Sequence, residues 1–393
     1  MNSSASITLD MSDLHTITSV AASKGLEKDR LWLNGTEIEI NGRGLTVLKE
    51  VRRLAQDRVD PETGDVVVKK EDWPEYKVHI ASINTFPTGA GLASSAAGLA
   101  CLVSALASLY NAKEEFPGHF TAIARQGSGS ASRSMFGGFV RWQKGERADA
   151  TDSIAVQIAD ENYWPEMRAV ILVVSDKEKD TSSTAGMETS RLTSTLMQYR
   201  ASHVVPARLA EMEEAYLKKD FETFGKLTMQ DSNQFHAVCL DTYPPIFYMN
   251  DVSKAIIRLC TVINAHYGHI KAAYTFDAGP NAVIYCLAKD SELVLAAMAH
   301  YFPAPGKADD YCNAPAEYSR ITSAGVVPAE LLAAMDKAGR TPAAGDVKYV
   351  FYTKAGPGPT VLPLGESILN PDTGLPKTPE EVGPKHKRMK IGA

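Results

Sequence analysis

The stretch from Ile80 to Ala112 contains no Asp, Glu, Lys or Arg, and its character changes halfway along. It opens with a strand-like run, breaks at Pro87-Thr88-Gly89-Ala90-Gly91, and continues as an apolar helix through Leu109. A strand, a loop of small residues and a helix start together aim several backbone N–H groups and the positive end of the helix dipole at one point. Small side chains in such a loop let an anion approach the backbone. The pattern therefore predicts a site for a phosphate group.

Other structures can produce a charge-free stretch of this kind. A membrane span needs about 20 mainly apolar residues, but the many Pro, Gly, Ser and Ala residues here favour a densely packed soluble helix. The dinucleotide-binding fingerprint requires Gly-x-Gly-x-x-Gly/Ala. Gly89 and Gly91 fit it, but Ser94 occupies the third position and the next acidic residue is Glu114. The Walker loop requires a Lys that the stretch lacks, and a tight turn before a core helix stays an open alternative.

Bulk properties restrict the class of protein. The 393 residues are enough for two domains. A net charge of −6 argues against general binding to nucleic acid or to membrane surfaces, because both favour basic proteins. The five cysteines are widely spaced without a Cys-x-x-Cys pair, which indicates reduced thiols. The polar start has no secretory signal, so we expect a cytoplasmic protein with no nucleic-acid or membrane partner.

Strand and helix patterns fall into two groups along the chain. In the first group the predicted strands are 6–9, 16–21, 30–33, 37–40, 78–83 and 138–142, and the predicted helices are 45–58, 92–109 and 120–125. In the second group the predicted strands are 167–174, 271–275, 282–286 and 347–352, and the predicted helices are one starting near Pro206, 221–228, 252–266 and 291–301. This mixture predicts an α+β protein with an N-terminal domain over 1–165 and a C-terminal domain over 166–369. The Pro-, Lys- and Glu-rich residues 370–393 are predicted to form a flexible basic tail.

A second loop of small residues runs from Gly127 to Ser134 and includes Arg133. Its hydroxyls and backbone N–H groups can donate to an anion. Arg133 can bind a carboxylate or phosphate through two parallel N–H bonds. A flexible linker with a surface arginine is an equally good interpretation of the loop taken alone.

Two further segments carry polar groups next to apolar runs. Asp277 ends an apolar strand directly before Ala278-Gly279-Pro280, so its carboxylate can orient or deprotonate a hydroxyl in a cleft. By itself, an Asp in this position is more typical of a turn or helix cap. Residues 231–236, Asp-Ser-Asn-Gln-Phe-His, are polar enough to line a site, although a lone His is usually structural. No spacing typical of a zinc site is present.

Taken together, these segments resemble the diphosphomevalonate decarboxylase family of the GHMP kinase superfamily. The similarity runs from about Asn2 to Pro359. It rests on four motifs in order: 84–97, which resembles the family's phosphate loop; 127–134, which resembles its substrate loop with Ser132 where Cys is common; 231–236; and 276–282. The first motif alone would indicate only the superfamily.

The resemblance implies a GHMP kinase fold, with a ribosomal-S5-like N-terminal domain, a ferredoxin-like C-terminal domain and the site between them. It implies ATP-dependent conversion of (R)-5-diphosphomevalonate to isopentenyl diphosphate, CO2, ADP and phosphate, in the mevalonate pathway of isoprenoid and sterol biosynthesis. It also implies Mg²⁺, for which the sequence indicates no ligands, and a homodimer. A kinase that stops after phosphoryl transfer and a non-catalytic homologue are the competing functions.

Site residues follow from the resemblance position by position. Asp277 is expected to act as the base or orienting carboxylate, Arg133 to hold the substrate carboxylate, and Ser95 to contact the reacting end of the substrate. The residues expected to line the substrate are Arg52, at its diphosphate, with Ser128, Gly129, Ser130, Ala131, Ser132 and Met187. The residues expected to cradle the ATP phosphates are Gly91, Leu92, Ala93, Ser94, Ser95 and Ala96.

One departure from the family pattern concerns the start of the chain. The family normally has a further segment with Tyr-Trp-Gly-Lys before the stretch that matches Asn2-Ser3-Ser4, and this sequence does not contain it. That segment would supply a strand and a Lys near Asp277. We therefore expect a truncated gene model or an alternative start. If the 393 residues are the whole protein, low solubility and greatly reduced turnover are expected, which an assay of ATP-dependent CO2 release would test.

Overall fold

The computed structural model describes residues 3–60, 62–86, 92–175, 177 and 180–383. In the N-terminal part the strands are β1 (Ser4–Ile7), β2 (Thr16–Ser23), β3 (Arg30–Leu33), β4 (Thr36–Ile38), β5 (Arg58–Val59), β6 (Val66–Val68), β7 (Lys77–Asn84), β8 (Phe139–Trp142) and β9 (Ala155–Ala159). The helices are α1 (Gly42–Arg53), α2 (Ser94–Leu109) and α3 (His119–Gly127), with 3-10 turns at Lys70–Glu75 and Gly129–Met135.

Two sheets support the N-terminal helices. One has the order β2-β7-β3-β4 and the other the order β1-β8-β9. The strands predicted at 30–33 and 37–40 are confirmed as β3 and β4, which form a hairpin whose turn residues Asn34 and Gly35 have φ values of 51° and 82°. Helices α1, α2 and α3 pack against each other around residues such as Val51 and Leu106, and α2 packs against β2 and β7. Their close approach requires Gly127, because a Cβ there would lie 2.9 Å from Leu99 Cδ2.

The C-terminal part has one sheet and several helices. Its strands are β10 (Met167–Val173), β11 (Ala273–Phe276), β12 (Ala282–Leu287) and β13 (Tyr349–Lys354). Its helices are α4 (Ser183–Thr193), α5 (Thr195–Tyr199), a π-helical turn (Arg200–Val204), α6 (Val205–Lys218), α7 (Phe221–Asp241), α8 (Asp251–Tyr267), α9 (Ala288–Tyr301), α10 (Pro315–Ser323) and α11 (Ala329–Asp336), with 3-10 turns at Ala308–Asp310 and Leu364–Glu366.

The C-terminal sheet is antiparallel, with the order β11-β12-β10-β13. Strand β10 lies inside this sheet, between β12 and β13, and its residues from Ala169 to Val173 are apolar and buried. Helices α8 and α9 supply much of the core on one face, including Leu259 and Met298. On the other face, Leu92 and Ala97 from the start of α2 pack with Ile171 and Phe351. The charge-free stretch therefore brings the two parts of the molecule together.

Helix α7 differs from the sequence-based expectation. A helix was predicted over 221–228, but α7 continues to Asp241, so the polar segment 231–236 is helical. Its charges are paired: Arg200 donates to Asp231 at 2.7 Å and to Gln234 at 2.7 Å. Most other predicted elements are present with bounds shifted by a few residues. Helices α4, α5, α10 and α11 and strands β5, β6 and β9 were not predicted.

The C-terminal segment also differs. Residues 370–393 were predicted to form a flexible tail, but residues 364–383 lie across the N-terminal sheet and are called the strap below. Ile368 and Leu369 are buried against Ile17 and Ala81, and the Ile368 N–H donates to Ser19 Oγ at 3.0 Å. Residues 384–393 lie outside the described residues. In the part of the chain that the structure describes, no helix combines the length and apolar character needed to cross a bilayer.

Candidate active site

Arg133 and Asp277 come from opposite sides of the interface between the two parts and lie close enough to interact electrostatically. Arg133 belongs to the 3-10 turn Gly129–Met135, which packs against α2 and α3. Asp277 follows the last residue of β11. Burial lowers the pKa of the Arg133 guanidinium, and the charges of Asp277 and Tyr216 oppose this lowering. The structure thus brings a cation and a carboxylate from distant parts of the sequence close to each other.

The guanidinium of Arg133 retains donors for a ligand. Its Nη1 donates to Ser4 Oγ at 2.5 Å. Its Nε is buried and has no hydrogen-bond partner among the described residues. A buried donor without a partner is costly, and a planar anion that accepts two parallel N–H bonds would remove this cost.

The Asp277 carboxylate is exposed, and no described residue donates a hydrogen bond to it. Groups from α7 and the following loop surround it. Burial, with a further contribution from Asp277, raises the pKa of Cys239 to about 11. Burial also raises the pKa of Tyr248 to about 12, again with a contribution from Asp277. These neighbours stay neutral near pH 7, so Asp277 can accept a proton or hydrogen bond from a bound molecule.

Helix α4 contacts both Tyr248 and the first turn of α1. The Tyr248 hydroxyl donates to the backbone oxygen of Ser182, the N-cap of α4, at 3.4 Å. Gly186 permits this packing, because a Cβ there would lie 2.4 Å from the Tyr248 oxygen. Arg43, in the first turn of α1, donates to Thr184 Oγ1 at 3.3 Å. The sequence analysis did not name this exposed arginine as a site residue. The only sequence signal for it was its position at the start of an amphipathic helix.

Arg52 lies elsewhere, contrary to the expectation that it meets the substrate. It donates to both oxygens of Asp29, at 3.0 and 3.1 Å from Nη2, and to the Tyr110 hydroxyl at 2.8 Å. It lies nine residues after Arg43 on α1, which corresponds to about 14 Å along the helix axis. Its donors are engaged in a partly buried ion pair at the far end of that helix.

The predicted substrate loop divides into core and accessible residues. Ala131 and Ser132 are fully buried, and Ser132 Oγ donates to the backbone oxygen of Gly129 at 2.8 Å. Their side chains are therefore part of the scaffold, which differs from the expectation that they line the substrate. Ser130 is exposed, and Ser128 and Gly129 are partly exposed. Met187 on α4 is 62% exposed and points into solvent.

The start of α2 retains features of an anion site. Ala93, its N-cap, has the left-handed backbone angles φ 56° and ψ 27° and offers no side-chain cap. A non-glycine residue in this region is strained, and such strain is concentrated at functional sites. Ser95 is exposed in the first turn, whereas Ala96 is buried. Leu92 packs against the C-terminal sheet, and Gly91 lies outside the described residues.

Two residues of the polar segment 231–236 contact the backbone beside Asp277. The Phe276 N–H donates to Ser232 Oγ at 3.0 Å, and His236 Nε2 lies 3.3 Å from the Phe276 oxygen. Sequence reasoning noted the segment but gave these residues no role. Among the described residues, no cluster of three or more His, Cys, Asp and Glu side chains suited to a metal ion is present.

An α+β architecture of two parts, with the start of a helix of the first part packed against the sheet of the second, is that of the GHMP kinase fold. The family described as diphosphomevalonate decarboxylase-like N-terminal domain matches residues 1–155, and mevalonate 5-diphosphate decarboxylase C-terminal domain matches residues 169–362. The diphosphomevalonate decarboxylase of Rattus norvegicus is 48% identical over 96% of this chain and 90% of its own length.

Solved structures agree with these matches. A mevalonate 5-diphosphate decarboxylase is 45% identical with a TM-score of 0.78, covering 95% of this chain and 93% of its own. A structure of MDDEF in complex with MVAPP, AMPPCP and magnesium is 27% identical with a TM-score of 0.64, covering 91% and 89%. The mevalonate diphosphate decarboxylase from Enterococcus faecalis, described for mevalonate-diphosphate-mediated ATP binding, is 26% identical with the same TM-score and coverage. The chain belongs to the diphosphomevalonate decarboxylase family, which makes it a carboxy-lyase.

Proposed function

We propose that the chain catalyses the ATP-dependent decarboxylation of (R)-5-diphosphomevalonate to isopentenyl diphosphate. One observation supports the assignment of particular residues: Arg133 and Asp277, from the two parts of the molecule, are close enough to interact electrostatically. The reaction requires a cation for the substrate carboxylate and a carboxylate for its tertiary hydroxyl. Arg133 is our candidate for this cation, and Asp277 is our candidate for this carboxylate.

The chemistry explains why these groups are needed. Transfer of a phosphoryl group to the tertiary hydroxyl replaces a poor leaving group with phosphate. Departure of phosphate leaves cationic character near the substrate carboxylate, which is lost as CO2 while the double bond forms. In these steps Asp277 accepts the proton of the tertiary hydroxyl or orients that hydroxyl. Arg133 holds the substrate carboxylate in a fixed plane. Positioning and charge neutralisation contribute more than covalent catalysis.

The start of α2 is our proposed position for the ATP phosphates. The strained N-cap Ala93, Ser94 and the exposed Ser95 lie at the start of this helix beside the C-terminal sheet, where the positive end of the helix dipole favours an anion. Mg²⁺ would neutralise phosphate charge there. This ion usually keeps several waters and binds largely through substrate phosphates, so the exposed Ser95 hydroxyl is a fitting protein ligand.

Arg43 is our candidate for the substrate diphosphate in place of Arg52. Its guanidinium lies beside Thr184 at the interface and makes only one hydrogen bond, at 3.3 Å, within the described residues. The polar residues Ser128, Gly129 and Ser130 border the same site through exposed or partly exposed groups.

We further propose a homodimer in the cytoplasm. The homodimer is supported by an exposed apolar patch on α4, α5, the end of α7 and the loop after it. Its side chains are 45–78% exposed and comprise Met187, Leu192, Leu196, Tyr199, Leu240, Tyr243 and Phe247. These elements are neighbours in the structure, and exposed apolar side chains that gather on one surface mark an interaction site. The five free thiols support a reducing compartment.

The direct test is an assay of CO2 release from diphosphomevalonate with and without ATP, with Asp277→Asn as the matched variant. We expect ATP-dependent release that falls by about 10²-fold or more in the variant, with its melting temperature retained. A phosphorylated product without CO2 would assign a kinase instead. Tight ligand binding without turnover would indicate a non-catalytic homologue, and full activity in Asp277→Asn would remove this carboxylate from the reaction.

A further inference from the structure

We propose that Ser232 and His236 are positioning residues for the Asp277 carboxylate and act through the backbone of Phe276. The proposal rests on the proposed catalytic role of Asp277. It gives a function to the polar segment 231–236, whose residues do not reach the reacting groups in the mechanism above.

The edge position of β11 creates the need for such residues. In the sheet order β11-β12-β10-β13, β11 pairs with β12 alone. Backbone groups alternate in direction along a strand, so every second residue of β11 directs its N–H and C=O away from β12. Buried groups of this kind require partners, and α7 packs along this edge.

Both outward groups of Phe276 are bound by side chains of α7. The Phe276 N–H donates to Ser232 Oγ at 3.0 Å, and His236 Nε2 donates to the Phe276 oxygen at 3.3 Å. Ser232 and His236 are 4% and 5% exposed. Because they are four residues apart on a helix, they share one face. Together they fix the peptide groups on both sides of Phe276, the residue immediately before Asp277.

The chain after Asp277 is fixed as well. Asn281 Oδ1 accepts hydrogen bonds from the Val174 and Ser175 N–H groups at 2.7 and 3.0 Å. Ser253 Oγ donates to the Pro280 oxygen at 2.8 Å. Asp277 therefore lies between two anchored points. Its exposed carboxylate has no hydrogen bond of its own to described residues, so its position is set by the backbone.

Lys271 and Ala272, just before β11, are bound in a similar way and can be compared with Phe276. Asn264 of α8 binds the outward groups at that end: its Oδ1 accepts from the Lys271 and Ala272 N–H groups at 2.9 and 3.0 Å, and its Nδ2 donates to the Ala272 oxygen at 2.8 Å. This clamp resembles the one at Phe276 in kind but is remote from Asp277. It stabilises the same strand edge without orienting the carboxylate.

The comparison defines the experiment. In the full chain, Ser232→Ala removes the acceptor for Phe276 N–H, Ser232→Thr retains a hydroxyl, and Asn264→Ala removes the remote clamp. For His236, the matched variants are His236→Gln, which retains a donor, and His236→Leu, which does not. Melting temperature, kcat and the KM values for ATP and diphosphomevalonate are measured for each.

We expect Ser232→Ala to lower kcat by about 10-fold or more, since small displacements of a catalytic group have large effects on rate, while both KM values change less than about twofold. Ser232→Thr and His236→Gln should recover most of the lost kcat. Asn264→Ala should lower the melting temperature at least as much as Ser232→Ala yet leave kcat within about twofold of the parent.

The proposal is overturned if kcat of Ser232→Ala equals that of the parent, or if Asn264→Ala and Ser232→Ala lose kcat in proportion to stability. Should either alanine variant fail to fold, the kcat ratio of His236→Gln to His236→Leu decides in the same way. Asp277→Asn, measured in parallel, distinguishes the positioning role of Ser232 and His236 from the catalytic role of Asp277. An inactive Asp277→Asn with a fully active Ser232→Ala refutes only the positioning role, whereas an active Asp277→Asn refutes the role of Asp277 itself.

Discussion

At the scale of single residues, the two arginines of α1 show how context decides the role of a cation. Arg52 is paired with Asp29 and bound to Tyr110, so its charge stabilises the N-terminal part. Arg43 lies at the interface with one weak hydrogen bond to Thr184. Sequence reasoning could not distinguish them, because Asp29 and Tyr110 are distant from Arg52 in the chain.

The two arginines should therefore respond differently to the same substitution. Arg43→Gln should raise the KM for diphosphomevalonate by about 10- to 100-fold, as expected for the loss of a charged hydrogen bond of about 1.5–3 kcal/mol, without lowering the melting temperature. Arg52→Gln should lower the free energy of unfolding by about 1–3 kcal/mol, because it leaves Asp29 unpaired, with little change in KM. Steady-state kinetics and urea denaturation measure both effects. A raised KM in Arg52→Gln, or a loss of stability in Arg43→Gln, would contradict the roles given to the two arginines.

His236 predicts a pH dependence of stability. Burial lowers its pKa below the ordinary value of 6.5, although the Phe276 oxygen and Asp277 oppose this. Below pH 6.5 the unfolded chain thus binds more protons than the folded chain. The free energy of unfolding should fall as the pH decreases from 7 towards the lowered pKa, by at most about 1.4 kcal/mol per pH unit for this histidine. Urea denaturation at several pH values should show a smaller decrease for His236→Gln; an identical pH dependence would exclude this histidine as a source.

At the scale of elements, the sequence predicted what local patterns encode. The strands predicted at 30–33, 37–40 and 167–174 correspond to β3, β4 and β10 in the structure. The predicted end of α7 was wrong, because the polar residues that continue this helix are typical of a loop. Their partners, Arg200 and the end of β11, lie far away in the sequence.

The strap was mispredicted for the same reason. Its Pro and Gly content is typical of disordered chain, whereas its order comes from burying two apolar residues on the N-terminal sheet and from the His79 Nδ1 hydrogen bond to the Gly374 oxygen at 2.8 Å. No pattern within the strap identifies that sheet as its partner.

The strap should contribute to stability through these buried side chains. Leu369 is 3% exposed and Leu364 is 93% exposed, which provides a matched pair. Leu369→Ala should lower the free energy of unfolding by about 2–5 kcal/mol, and Leu364→Ala should leave it within about 0.5 kcal/mol. Urea denaturation measures both changes, and equal effects would show that the strap does not pack as described.

At the scale of the whole molecule, the apolar patch on α4, α5 and α7 predicts how copies associate. We expect sedimentation velocity to give a dimer at micromolar concentration, since a patch of this kind is costly to expose. The double substitution Leu240→Asp and Phe247→Asp should give a monomer with an unchanged melting temperature. Leu364→Asp, an exposed apolar position outside the patch, is the control. A monomeric parent, or a dimer that survives the double substitution, would contradict the assignment.

The candidate site was predictable only in part. Arg133 and Asp277 stand out locally as a cation in a small-residue loop and a carboxylate at a strand end, but nothing local states that they meet. That relation came from the resemblance to a family, and in the structure it depends on the packing of α2 against the C-terminal sheet. Ala131 and Ser132 were expected to line the substrate because of their positions in the motif, but their side chains are buried. A motif position alone does not show which way a side chain faces.

The central claim is that Arg133 and Asp277 act on one substrate molecule, and a double-mutant cycle on kcat/KM for CO2 release tests it most directly. Arg133→Gln, Asp277→Asn and the double variant are compared with the parent. Groups that act together on one transition state give strongly non-additive losses, so we predict that the double variant is much less impaired than the product of the single losses. Additive losses to within about 0.5 kcal/mol, or a single variant with parental activity, would contradict the account.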